Sequence, residues 1–141
     1  MDPIPNCPKL KWFQVDVFTS RPFGGNPLAV FPEAPGLEGR LMQDIAREMN
    51  LSETVFASPA RESEWDYEVR IFTPTRELPF AGHPVIGTAH VLLHTRPEGS
   101  RPDRLRLKMK AGVVPVEVEH AGQVIFMDQP LPDFGKTVSD M

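Results

Sequence analysis

Cysteine is nearly missing from this chain: Cys7 is the one thiol in 141 residues. No internal disulfide can form from it, and a reducing compartment is the expected setting. Cys7 also stands in a proline-rich leader with no positioned partner, a poor place for a nucleophile. No stretch approaches the roughly 20 apolar residues of a membrane span. Met1 to Pro8 holds three prolines and no apolar run, so no signal peptide is read there and the cytoplasm is the expected location. An excess of positive charge is also lacking. The formal net charge is −4, which argues against nucleic acid or an anionic membrane as partner. Arg101, Arg104, Arg106, Lys108 and Lys110 lie close together, but Leu105, Leu107 and Met109 alternate with them. That is the pattern of a strand with one wet face. Neither G-x-G-x-x-G nor G-x-x-x-x-G-K-[ST] occurs, so nucleotide binding has no motif behind it.

What is present reads as one folded domain. Apolar residues make up 40% of the chain, enough to bury a core. Sixteen prolines punctuate periodic segments rather than mark disorder. Residues 10–19 alternate as a strand, with Phe13, Val15 and Val17 on one face. Arg21 to Pro27 is a tight loop whose two glycines permit positive φ, and residues 28–31 are a short apolar strand. Residues 37–49 predict an amphipathic helix with Leu37, Leu41, Ile45 and Met49 in a stripe, Met42 and Ala46 beside it, and Asn50 as the stop. Strands are expected at 54–57 and 67–73, and a second helix at 84–93 with Val85, Ala89, Leu92 and Leu93 as its apolar face. Pro84 suits the first helical position. Strands at 104–110, 113–119 and 123–128 follow, with turns at Gly112 and at Ala121-Gly122. Residues 130–141 read as chain leaving a domain. The order gives a mixed α+β domain with a largely antiparallel end.

Three clusters could carry chemistry. In Phe80-Ala81-Gly82-His83-Pro84, a glycine and a histidine stand just before a helix. The first N–H groups of a helix lack internal partners and suit a carboxylate. Gly82 lets a ligand approach the backbone, and His83 can donate a hydrogen bond or a proton. The plainer alternative is a loop-to-helix junction with His83 as its cap. In Asn50-Leu51-Ser52-Glu53-Thr54, a carboxyl stands where the chain turns from helix to strand. Loss of water there disfavours the charged form, which suits an acid/base. The alternative is a surface glutamate or one tied to the backbone. In Gly24-Gly25-Asn26-Pro27, Asn26 is a candidate substrate contact, although a tight turn alone explains the motif. His90 and His94 can share a helix face, but the zinc-protease glutamate and a third ligand are missing, so no metal site is assigned.

Together these segments resemble one family. Val15-Asp16-Val17-Phe18-Thr19, Pro22-Phe23-Gly24-Gly25-Asn26-Pro27-Leu28-Ala29-Val30-Phe31, Ile45-Ala46-Arg47-Glu48-Met49-Asn50-Leu51-Ser52-Glu53-Thr54, Arg70-Ile71-Phe72-Thr73-Pro74, Glu77-Leu78-Pro79-Phe80-Ala81-Gly82-His83-Pro84 and Gln129-Pro130 occur in the order found in PhzF-type isomerases. Those enzymes share their fold with diaminopimelate epimerase and proline racemase. The resemblance implies a diaminopimelate epimerase-like domain over residues 1–141, its largely antiparallel sheet wrapped around a central helix. It implies Glu53 as general acid/base, Gly82 and His83 lining the site, and no cofactor. The implied reaction is a proton transfer between carbons of a small cyclic or amino-acid-like carboxylate. Paired-cysteine racemase chemistry is not supported at these motif positions. Family members have a second, similar domain that completes the cleft, and this chain covers the first. A homodimer or a second-domain partner chain is therefore expected if the chain is an enzyme. The alternative is a non-enzymatic binding domain that keeps one wall of the cleft.

Overall fold

The computed structural model describes residues 9–61 and 64–137. Cys7 and the last four residues of the exit segment lie outside that range.

Alternating side chains build the first hairpin, β1 (Phe13–Val17) against β2 (Asn26–Phe31), with Val15 opposite Leu28. Its connecting loop differs from the sequence expectation. The left-handed residues there are Phe18 (φ 62°) and Phe23 (φ 66°), not the glycines. Gly25 is required by crowding instead: a Cβ on it would lie 2.4 Å from the Val17 carbonyl oxygen. The Phe23 N–H donates to Asp16 Oδ2 at 2.6 Å and holds the loop down.

Helix α1 (Gly39–Met49) starts two residues later than the apolar spacing suggested. Its buried residues are Met42 and Ala46, and Leu41 is exposed, so the predicted stripe is rotated by one position. Asn50 ends the helix in the left-handed region (φ 52°, ψ 34°), as an Asn at that position can. The chain continues through β3 (Thr54–Pro59), β4 (Tyr67–Phe72) and the two-residue β5 (Glu77–Leu78). Helix α2 (Gly82–His94) begins two residues before Pro84, and β6 (Arg104–Met109), β7 (Gly112–Glu119) and β8 (Val124–Met127) follow. A single 3-10 turn, His120–Gly122, joins the last two strands.

Among the described residues, eight strands form one sheet in the order β1-β2-β3-β4-β6-β7-β8, with β5 on β4. Two neighbouring pairs are parallel, β2 with β3 and β4 with β6. Each is joined by one of the two helices, as parallel strands require a long crossover. The helices take opposite faces. Outside, α1 covers Phe31, Phe56 and Phe72 together with Ala34. Phe31 and Phe56 stack at 4.8 Å, and Phe72 meets Phe56 edge-on. Inside, the sheet curls around α2, which touches β1, β2 and β3 at one end of the sheet and β8 at the other. Leu28, Val30, Val55, Ile71, Leu105, Leu107, Val114 and Val116 point at this helix, and Val85, Ala89, Leu92 and Leu93 meet them from it. Period-two alternation in the longer strands supplies that inner lining, and the α+β architecture expected from the sequence is the one observed.

Candidate active site

Glu53 stands immediately before β3 and continues the alternation that aims Val55 and Ala57 at α2. His83 is the second residue of α2. These two facts bring the side chains together: His83 Nε2 lies 3.4 Å from Glu53 Oε2. Both are shielded, with side-chain exposures of 9% for His83 and 17% for Glu53. Each of the two facing atoms is buried and makes no hydrogen bond in this structure. A buried polar atom without a partner costs about 1–3 kcal/mol. Such atoms are retained where something other than stability selects them.

Gly82 opens the same helix. The residue before it, Ala81, has an extended backbone (φ −157°, ψ 138°) and no side-chain cap. The first-turn N–H groups of Gly82 and His83 therefore have no internal partner, and Pro84 has no N–H at all. The helix start carries partial positive charge beside the carboxylate and imidazole. Asn26 opens β2, and its Oδ1 accepts a hydrogen bond from Ser52 Oγ at 3.4 Å. It thus ties the start of β2 to the residue before Glu53.

The segment that delivers Gly82 and His83 is strapped down by residues the sequence reading passed over. Arg70 in β4 forks onto Glu77, with Nε 2.8 Å from Oε1 and Nη2 2.9 Å from Oε2. Lys110 Nζ adds a third contact to Glu77 at 2.8 Å. The Arg70 hydrogen bonds, with Lys110 beside them, hold the Glu77 carboxyl at about 2, against the partial opposition of burial. The Thr73 side chain braces the turn between, accepting from the Thr75 and Arg76 N–H groups. The Ala111 N–H donates to the Pro79 carbonyl at 3.1 Å. A sequence signal existed, since Arg70 and Glu77 both fall within the family-like segments, but nothing in their spacing announced a pair.

His90 and His94 do share a face of α2, with their rings stacked at 4.0 Å. His94 Nδ1 lies 2.9 Å from the His90 carbonyl oxygen. Burial, then the neighbouring His94 and Arg101, hold His90 below the usual imidazole range. The pair lines a groove of about 650 Å³ between β1 and β8, which includes none of Asn26, Glu53, Gly82 and His83. Among the described residues no cluster of three or more His, Cys, Asp or Glu could hold a metal ion, and no helix is long and apolar enough to cross a membrane.

Comparison with known proteins gives this geometry a context. Residues 15–140 match the family model described as phenazine biosynthesis-like protein. An uncharacterized isomerase of Pasteurella multocida is 51% identical over 112 residues, covering 79% of this chain and 37% of the relative. The trans-2,3-dihydro-3-hydroxyanthranilate isomerase of Pseudomonas aeruginosa is 44% identical over 125 residues, covering 86% of this chain and 43% of the relative. A solved structure from Pseudomonas aeruginosa, titled a predicted epimerase, superposes with a TM-score of 0.73 at 36% identity, over 84% of this chain and 42% of the other. The chain thus spans about two-fifths of the length of the curated relatives it matches. With the match running from the first strand through the last and the relatives named as isomerases, the chain belongs to the phenazine biosynthesis-like protein family.

Proposed function

We propose that this chain supplies the acid/base wall of a cofactor-independent isomerase acting on a small cyclic or amino-acid-like carboxylate. The observation that carries the reading is the shielded, hydrogen-bond-free approach of Glu53 to His83 at the start of α2. The Glu53 carboxylate takes a proton from one carbon of the ligand and becomes a carboxylic acid. The electron pair left behind spreads over the ligand's unsaturated system. Glu53 then returns the proton to a different carbon, so that it ends as it began and the ligand is isomerised. His83 donates a hydrogen bond to the ligand and keeps Glu53 directed at it. The N–H groups of Gly82 and His83 hold the ligand's carboxylate, where the helix dipole favours negative charge. Asn26 stands at the rim through its link to Ser52.

The relatives are more than twice as long as the matched region, so a second wall is part of the proposal. It comes from a second domain, a partner chain or a second copy of this chain in a homodimer. The closed cleft forms in the cytoplasm around a small-molecule carboxylate, with neither nucleic acid nor a membrane as partner.

The trans-2,3-dihydro-3-hydroxyanthranilate isomerase activity named for the Pseudomonas aeruginosa relative gives the first substrate to test. Glu53→Gln keeps the shape of the side chain and removes the base. With the complete cleft assembled, the variant is expected to lose about 100- to 10,000-fold in solvent-proton incorporation, read by NMR in deuterated water. An unchanged incorporation rate in a folded variant rejects the acid/base role. Carboxylate binding with no proton exchange in the native protein favours a one-walled binding domain instead.

A further inference from the structure

Met127 comes from β8, at the far end of the sheet path from Glu53, yet it reaches the opening residue of α2. Its Cε lies 3.1 Å from the position a Cβ would take on Gly82. Alternation along β8 explains the reach: Ile125 and Met127 turn toward α2, and Val124 and Phe126 face outward. Met127 packs on the inner core, as Phe80 and Ala81 do, but remains half-buried itself. Gly82 has no side chain of its own to offer a ligand, so the surface above it is the thioether of Met127.

We propose that Met127 is a specificity-determining residue of this site, forming the wall on which the flat, unsaturated body of a carboxylate ligand rests. The inference builds on the acid/base reading of Glu53 and His83. His83 supplies the independent sign of a ligand, being nine-tenths buried with an unpartnered Nε2 at the same helix start. Moving a proton between two carbons needs a delocalised, planar intermediate, and a planar intermediate is selected by a flat apolar support. Methionine suits that place, because its polarizable sulfur and mobile methyl settle against ring faces and edges. A residue branched at Cβ would bring bulk over Gly82 without that adaptability.

The test uses the 141-residue chain with ¹³C-methyl methionine and ¹⁵N labels, titrated with benzoate and, separately, acetate. Comparison with Met127→Leu assigns the Met127 methyl signal. The expected result is that both anions shift the Gly82 and His83 amides, while benzoate alone moves the Met127 methyl upfield. Met127→Ala is expected to weaken benzoate by about two- to tenfold, the range of a sulfur–ring contact, and to leave acetate unchanged. If benzoate shifts the two amides but leaves the methyl still, and binds Met127→Ala as tightly as the native chain, this inference falls and the anion site stands. If neither anion moves the Gly82 and His83 amides, both the inference and the reading beneath it fail.

Discussion

Glu53 and His83 approach to 3.4 Å across the interior of the sheet without closing a hydrogen bond between them. One is carried by the end of a loop and the other by the first turn of a buried helix. The distance is longer than the 2.7–3.2 Å typical of a nitrogen–oxygen hydrogen bond. Two polar groups held near one another, shielded and unsatisfied, are a stability cost that a ligand can relieve.

That cost is measurable. Replacing both groups with apolar ones, Glu53→Leu with His83→Leu, removes the unsatisfied atoms together and leaves no lone charge behind. The double variant is expected to unfold about 1–3 kcal/mol later than the native chain in urea, with no proton exchange on any carboxylate. A double variant less stable than the native chain shows the pair to be a net structural asset and removes it from consideration as a functional compromise.

The Arg70–Glu77 pair gives a pH signature with a definite sign. Glu77 titrates at about 2 in the folded chain, below its ordinary value of 4.5. A depressed carboxylate contributes stability above its unfolded value, and that contribution fades as the pH falls from there through about 2. Because Arg70 and Lys110 are substantially exposed, solvent screens the pair, and about 1 kcal/mol is the expected size. Urea unfolding of the native chain and of Glu77→Gln should differ by that amount at pH 7 and converge toward pH 2. A gap that stays constant across this range places the effect in packing rather than in charge.

At Gly25 the prediction concerns crowding alone. The added carbon of Gly25→Ala meets the Val17 carbonyl oxygen at 2.4 Å and the Thr19 methyl at 2.6 Å. Backbone cannot yield as a side-chain tip does, so a loss of about 1–3 kcal/mol is expected. The added carbon of Gly24→Ala comes no nearer than 3.0 Å to Thr19 Oγ1 and 3.4 Å to the Arg21 carbonyl oxygen and should cost less. Thermal unfolding of the two variants side by side decides the matter, and equal midpoints contradict the packing described.

Most of the architecture was legible because the strands alternate cleanly. Tyr67, Val69 and Ile71 opposite Glu68 and Arg70 left one reading, and the inner face of β4 follows it. The stripe of α1 was misplaced for a physical reason: Leu37 lies outside the helix, and counting from it shifted the buried face from Met42 to Leu41. β5 escaped notice because two residues carry no period, and it exists only through its pairing with β4. The glycine loop was read through dihedral freedom, whereas tertiary crowding dictates Gly25. Motif chemistry made Glu53, Gly82, His83 and Asn26 candidates, and the family resemblance implied roles for the first three. Their meeting was not legible, since the approach of Glu53 to His83 depends on how the sheet wraps α2. Met127 carried no signal at all, because its relation to Gly82 is purely spatial.

Helix α2 serves two masters. Its flank is sealed in by sheet residues on several sides, down to Gly87, where an added carbon would lie 2.6 Å from Leu28 and 2.8 Å from Val17. Its tip presents Gly82 and His83, the groups proposed above for ligand binding. Evolution cannot retune that tip by sliding or reseating the rod without dismantling the domain around it. Diversification toward new substrates is therefore channelled to positions that border the tip from other strands and to whatever surface faces it across the cleft.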